Sequence, residues 1–175
     1  MVLGLTIRAA RPSDLAAVDG LLGRSYPRLL APDYPPSVMV TALPIIARAR
    51  PELMTSGRYY LAFNTDGRLL GAGGWSLGAP GPSDQPAKAP SAGKIGHVRH
   101  VATDPVAVRQ GVGRALMAAV FEAARLASIS RLECLSTRTA VPFYASLGFR
   151  AVGAIDVPLR AGIVFPAVQM VCDFT

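Results

Sequence analysis

Acidic side chains are scarce in this sequence: 11 Asp and Glu stand against 18 Lys and Arg over 175 residues, a formal net charge of +7. The isoelectric point is about 10.1. Such an excess raises the question of nucleic acid, but the charge is spread mostly as single arginines, with no basic run interleaved with aromatics, so no nucleic-acid partner is expected. A basic surface equally suits a phosphorylated small molecule, drawn in by long-range attraction. Cysteine is nearly absent. Cys134 and Cys172 alone supply neither a disulfide framework nor a metal set, which makes a reducing cytoplasm the default and a metal unexpected. No apolar run approaches the roughly 18 residues that span a membrane, because Arg, Glu or Pro interrupts each candidate. The opening Met1-Val2-Leu3-Gly4-Leu5-Thr6 has no basic segment ahead of an apolar one, so no secretory signal is expected. With 51% hydrophobic and 17% charged residues, the chain reads as one globular domain over residues 1–175, long enough for a sizeable core and without internal repeats.

Residues 5–9 read as a first strand. Ser13 or Asp14 is a candidate cap for a helix whose apolar face is Leu15, Val18, Leu21 and Leu22, and Tyr26-Pro27 is expected to break it into a loop. A second helical stretch over residues 37–50 must be kinked or divided by Pro44. Residues 58–64 and 69–77 read as strands joined by the hairpin signal Thr65-Asp66-Gly67. Residues 78–93, rich in Gly, Pro, Ala and Ser, read as an excursion from the sheet. Residues 130–135 form a fifth strand, 140–147 a short helix ending at Gly148, and 149–155 an extended run. A turn over residues 158–162 then precedes a last strand over 163–174.

The centre of the chain is Val108-Arg109-Gln110-Gly111-Val112-Gly113-Arg114. Before it, residues 97–103 are strand-like, and Asp104-Pro105 ends the ladder. After it, Val112, Leu116, Ala119, Val120, Ala123 and Ala127 recur at helical spacing. Gly111 and Gly113 let a bulky anion approach the backbone, and the helix start offers unpaired N–H groups and partial positive charge, a phosphate-binding arrangement. Two glycines before a helix serve equally well as structural punctuation. The element order is mixed α/β: hairpin strands, then a strand-helix-strand crossover that handedness rules make parallel.

Thr103-Asp104-Pro105, Gln110-Gly111-Val112-Gly113-Arg114-Ala115-Leu116-Met117 and Pro142-Phe143-Tyr144-Ala145-Ser146-Leu147-Gly148-Phe149 together resemble the GNAT superfamily of acyl-CoA-dependent N-acyltransferases. The resemblance covers residues 94–155 strongly and the first third in element order alone. It implies a mixed α/β (α+β) fold with a central six- or seven-stranded sheet flanked by about four helices. It implies acetyl-CoA as acyl donor, with no metal, and a frequent homodimer. It places the CoA pyrophosphate on the backbone of Arg109, Gln110, Gly111, Val112, Gly113 and Arg114. Val108 stands where the family usually has Arg or Gln; Arg109 supplies charge one residue later, and the cradle itself is main-chain N–H. The acetyl and pantetheine arm is expected along the backbone of Val101, Ala102 and Thr103, with Thr137, where many members carry Asn, and Phe143 beside it.

Amine acylation requires a neutral nucleophile, whereas an alkyl ammonium has a pKa of about 10, so a proton must leave. By the resemblance, His97 stands where several members place the residue that takes it, directly or through water; a hydrogen-bonded histidine on a half-buried strand is the structural alternative. Strict alternation puts His97, Arg99, Val101 and Thr103 on one face and Val98, His100 and Ala102 on the other, with His100 structural. Tyr144 stands where the family has a tyrosine that hydrogen-bonds the CoA sulfur and protonates the departing thiolate; otherwise it is a packing aromatic like Phe143 and Phe149. Cys134, a strand cysteine without a His or Asp neighbour, gives no support to an acyl-enzyme. Tyr26, Tyr34, Tyr59, Tyr60, Trp75 and Arg99 are candidates for the acceptor pocket or for core. The implied function is direct acetyl transfer to a primary amine of a small molecule or protein, the alternative a non-catalytic acyl-CoA-binding module of the same fold.

Overall fold

The computed structural model describes residues 4–79 and 94–174; residues 80–93 of the expected excursion lie outside the described residues. The Asn64 side chain accepts from the amides of Asp66 and Arg68 at 3.0 and 2.8 Å. That closes the predicted turn and joins β2 (Tyr59–Phe63) to β3 (Leu69–Ser76) as a hairpin. With β1 (Thr6–Ala9), β4 (Lys94–Thr103), β5 (Ile129–Ser136), β6 (Arg150–Arg160) and β7 (Ile163–Asp173), they build one seven-stranded sheet in the order β1-β2-β3-β4-β5-β7-β6. All neighbours are antiparallel except β4 and β5, and the helix between those two makes the expected parallel crossover.

That helix, α5 (Val112–Leu126) by number among α1 (Leu15–Leu30), α2 (Pro36–Thr41), α3 (Leu43–Ile46), α4 (Pro51–Thr55) and α6 (Val141–Ser146), covers one face of the sheet. It buries Val112, Leu116, Met117, Val120 and Ala124, a stripe turned slightly from the predicted one so that Ala119 and Ala123 are only half-buried. It packs close: a Cβ on Gly71 of β3 would lie 2.6 Å from Val112 and 2.9 Å from Leu116. On the opposite face, Val18, Leu21 and Leu22 of α1 join Leu53, Met54, Leu61 and Ala72.

Four local expectations are corrected. α1 does not end at Tyr26-Pro27 but runs on to Leu30. Proline there forgoes the bond to the Gly23 carbonyl, and both residues are exposed, so water can replace it while the buried side holds the helix. Asp14 stands at the N-cap of α1 but its side chain makes no bond into that helix; the carboxylate takes Arg8 at 2.8 and 2.9 Å and the Arg11 amide at 2.7 Å, the latter capping the 3-10 turn (Pro12–Asp14) that precedes it. The turn expected at 158–162 is shorter, because β6 passes through Pro158 to Arg160. β6 is an edge strand, where a missing N–H breaks no ladder bond.

The fourth correction shapes the site. In β4, Arg99 pairs with Gly74 and Ala102 with Ala72, so His100 and Val101 both stand opposite Gly73. His100 adopts φ 46°. This β-bulge inserts one residue and breaks the alternation: Ala102 shares a face with His97 and Arg99, while Val101 and Thr103 turn to the face of Val98.

Candidate active site

β4 and β5 pair only from Lys94–Ile129 to His97–Glu133. Beyond that β5 continues its ladder with β7 to Ser136, while β4 bulges away. The two parallel strands therefore part, and a cleft of about 730 Å³ opens between them. It gathers Val101, Ala102 and Thr103 from β4, Arg109, Gly111, Val112, Gly113 and Arg114 from the turn and α5, and Thr137, Phe143 and Tyr144 from beyond β5. Gln110 is not among its lining residues; it is exposed, with its amide donating to the Val106 carbonyl at 3.2 Å.

The bulge is anchored from the far face. The Tyr59 hydroxyl donates to the His100 carbonyl at 2.8 Å, and Ser25 Oγ of α1 donates to the Thr103 carbonyl at 2.8 Å. Downstream, the buried Asp104 carboxylate accepts from the Val106 amide at 3.1 Å, Arg68 at 3.2 Å and Arg24 at 3.4 Å. Burial opposes its charge, but the Val106 N–H and the two arginines together hold it below the usual carboxylate range. This fixes a 3-10 turn (Pro105–Ala107) from which the loop rises to α5.

In that loop Arg109 has φ 64° and Gly111 φ 85°, left-handed conformations that fold the chain back on itself; glycine accepts this without strain, arginine does not. Gly111 is the N-cap of α5 and has no side-chain cap, leaving the first amides of the helix available to an anion. A Cβ on Gly113 would lie 3.1 Å from the Phe143 ring. The loop thus meets the aromatic wall of the cleft edge-on, with Arg109 and Arg114 adding charge, an arrangement that fits a pyrophosphate.

Tyr144 is buried among Cys134, Phe149 and Phe143. Burial, and then the nearby Cys134, push its phenol well above the ordinary value, so it remains a donor at every working pH. Burial likewise pushes the Cys134 thiol up to about 12, which leaves it no thiolate for nucleophilic work. Thr137 Oγ1 accepts from the Ala140 amide at 3.2 Å, so it shapes the entry to α6 as well as lining the cleft.

The remaining candidates separate. His97 lines neither this cleft nor the smaller cavity beside it; its Nδ1 lies 3.8 Å from Glu133, and burial lowers its pKa despite that carboxylate. His100 lines both cavities. Trp75 is core. Tyr34 stacks on Phe165 at 4.9 Å and donates to the Pro166 carbonyl at 2.8 Å. Tyr59 is the bulge anchor, and Tyr60 packs at the edge of the core. Tyr26 lines both cavities, and Arg99 the smaller one.

His100, expected to be structural, lines both cavities, and Asp104, expected only to end the strand, braces the loop; Ser25 and, in the smaller cavity, Arg50 carry no expectation from the sequence. Ser25 was findable: it continues the Val18, Leu21, Leu22 spacing, so a polar group had to be buried on that face. Among the described residues, no cluster of His, Cys, Asp or Glu can hold a metal ion, and no helix is long and apolar enough to cross a membrane.

Comparison with known proteins matches residues 31–173 to the acetyltransferase (GNAT) domain. None of the curated proteins compared with the chain matches it significantly. Among solved structures, the chain is similar to a GCN5-related N-acetyltransferase from Rhodopseudomonas palustris, with 20% identity, 99% of each chain covered and a TM-score of 0.76. It is similar to PaiA N-acetyltransferase from Thermoplasma acidophilum in complex with coenzyme A, with 12% identity, 98% of this chain and 100% of that one covered, and a TM-score of 0.71. A third is the ribosomal-protein-S18-alanine N-acetyltransferase from Escherichia coli, with 18% identity, 97% and 93% covered, and a TM-score of 0.61.

Proposed function

The chain belongs to the GNAT acetyltransferase domain family, and on that premise we propose that it transfers the acetyl group of acetyl-CoA directly to a primary amine. The observation that carries this reading is the convergence, on one cleft, of the left-handed loop before α5, the bulged half of β4 and the buried Tyr144.

In this reading the loop amides of residues 109–114 hold the pyrophosphate, helped by the helix N-terminus and by Arg109 and Arg114. Val101, Ala102 and Thr103 present backbone to the pantetheine arm where β5 no longer pairs with β4. Phe143 and Thr137 wall the arm on the other side. Tyr144 donates a hydrogen bond to the sulfur. A buried phenol is a weaker acid than a thiol of pKa about 8.5, so Tyr144 stabilises the developing thiolate, and the proton lost by the amine makes the balance. His97 receives that proton through water, since it lies outside both cavities. Positioning of amine and thioester supplies most of the acceleration.

The test is thiol release from acetyl-CoA by the purified chain with and without an amine panel. Release that depends on the amine supports transfer; CoA binding without release under any amine describes a binding module instead.

A further inference from the structure

The smaller cavity, of about 160 Å³, adjoins the donor cleft: Tyr26, His100, Leu135 and Thr137 line both. Pockets for drug-sized ligands run roughly 300–1,000 Å³, so this one suits a single small molecule and not a peptide. Its walls are apolar, with Ile45 and Ile46 of α3, Val157 of β6 and Phe165 of β7. Into them comes Arg50, half-buried, whose guanidinium makes no hydrogen bond or ion pair with any described residue. Arg99 lines the same cavity and donates to Ser76 Oγ at 3.0 Å. Among the described residues no Asp or Glu lines either cavity.

That charge pattern discriminates between acceptor classes. A polyamine or other multiply cationic acceptor needs carboxylates to compensate the ammonium groups it brings, and the lining offers none. A half-desolvated guanidinium instead favours an anion, and its planar fork matches a carboxylate with two parallel bonds. At the junction of the cavities, His100 Nδ1 is buried without a hydrogen-bond partner among the described residues. Burial, with Arg99 and Arg50 adding to it, lowers the His100 pKa to about 3. The imidazole stays neutral and can accept an N–H without adding charge, although it is too weak a base to keep the proton.

Resting on the acetyl transfer proposed above, we infer that the acceptor is a small amino acid with an apolar side chain. Arg50 holds its carboxylate, the Ile45, Ile46 and Phe165 walls take its side chain, and its amino group lies at His100, facing the donor cleft. The amine lone pair forms the new N–C bond to the acetyl carbonyl carbon, and the C–S bond breaks with its electron pair on sulfur. The proton released by nitrogen passes through water to His97 and is balanced by the one the thiolate takes up from water, so the products are the N-acetyl amino acid and CoA.

The experiment measures thiol release from acetyl-CoA by the full chain with L-leucine, L-leucinamide and spermidine, in wild type and R50Q, with CoA affinity by calorimetry alongside. Leucine is turned over, and leucinamide falls about 30-fold or more in kcat/KM, the scale of a lost buried charge pair. R50Q loses a similar factor for leucine, mainly through KM, and no longer distinguishes acid from amide, while CoA affinity is unchanged. If R50Q does not fold, R50K serves: charge without the fork gives intermediate discrimination. Preference for leucinamide or spermidine, or full discrimination in R50Q, overturns the assignment. If no amine releases thiol, leucine is titrated into the CoA-loaded chain: binding that the Arg50 variant loses keeps the pocket assignment and overturns transfer, whereas no binding overturns the pocket assignment itself.

Discussion

The hydroxyl of Tyr59 on β2 reaches across β3 to donate to the His100 carbonyl on β4 at 2.8 Å. The crossing is open because Gly74 has no side chain: a Cβ there would lie 2.8 Å from the Tyr59 ring and overlap the Arg58 carbonyl. A glycine on one strand, a tyrosine on the next and a left-handed histidine on a third together hold apart the two strands between which the cleft opens.

Tyr59→Phe removes that bond while keeping the ring. The expected loss is about 1 kcal/mol of stability, read by urea denaturation, together with a fall in kcat/KM as the bulge loosens. Unchanged activity would mean that the bulge holds its shape without Tyr59. Gly74→Ala should cost more, roughly 1–3 kcal/mol, because the new Cβ strikes backbone.

Tyr144→Phe keeps the packing among Phe143, Phe149 and Cys134 and deletes the donor. The account expects kcat to fall about tenfold or more with CoA affinity nearly constant, the pattern of an interaction made in the transition state. Equal losses in binding and none in kcat would assign Tyr144 to packing.

The two histidines separate by pH. His97 is active as a base only when neutral, and burial lowers its pKa from the ordinary value of about 6.5. Activity therefore rises as pH increases through a midpoint below that value, and His97→Gln removes this limb. His100 titrates at about 3, so His100→Gln alters KM for the acceptor without moving the limb. A limb that survives in His97→Gln assigns the proton to solvent alone.

Asp104 supports the loop from beneath. Its folded pKa is depressed, so its stabilisation is fully present above the unfolded value of about 3.9 and is lost as pH falls through the lower folded value. Asp104→Asn should cost about 1–3 kcal/mol near neutral pH and weaken CoA binding, while wild type and variant converge in stability in strong acid. Stability measured as a function of pH in both proteins checks this.

The order of strands, the loop before α5 and the Tyr144 segment were legible in the sequence, because each depends on local spacing and on residues that few conformations tolerate; α4 (Pro51–Thr55) lies beyond the helical stretch expected over residues 37–50 and was not. The bulge was not. His100 carries no sequence mark of a positive φ, and its position follows from Tyr59 and Gly74, forty-one and twenty-six residues away in the chain. Pro27 misled for the same reason: proline predicts an end, but burial along α1 outweighs one missing bond. Pro158 announced a turn because nothing local states that β6 lies at the edge. The Arg50 cavity is tertiary throughout, drawn from α1, α3, β4, β5, β6 and β7 and the segments between them, so no window of sequence contains it.

The most direct test of the central claim is amide-resolved NMR of the chain titrated with CoA. The account predicts that the largest shifts fall on the amides of residues 109–114 and on residues 101–103 of β4, with β1 and the outer half of β6 unmoved. Saturable binding whose shifts lie elsewhere, or no binding at all, would contradict it.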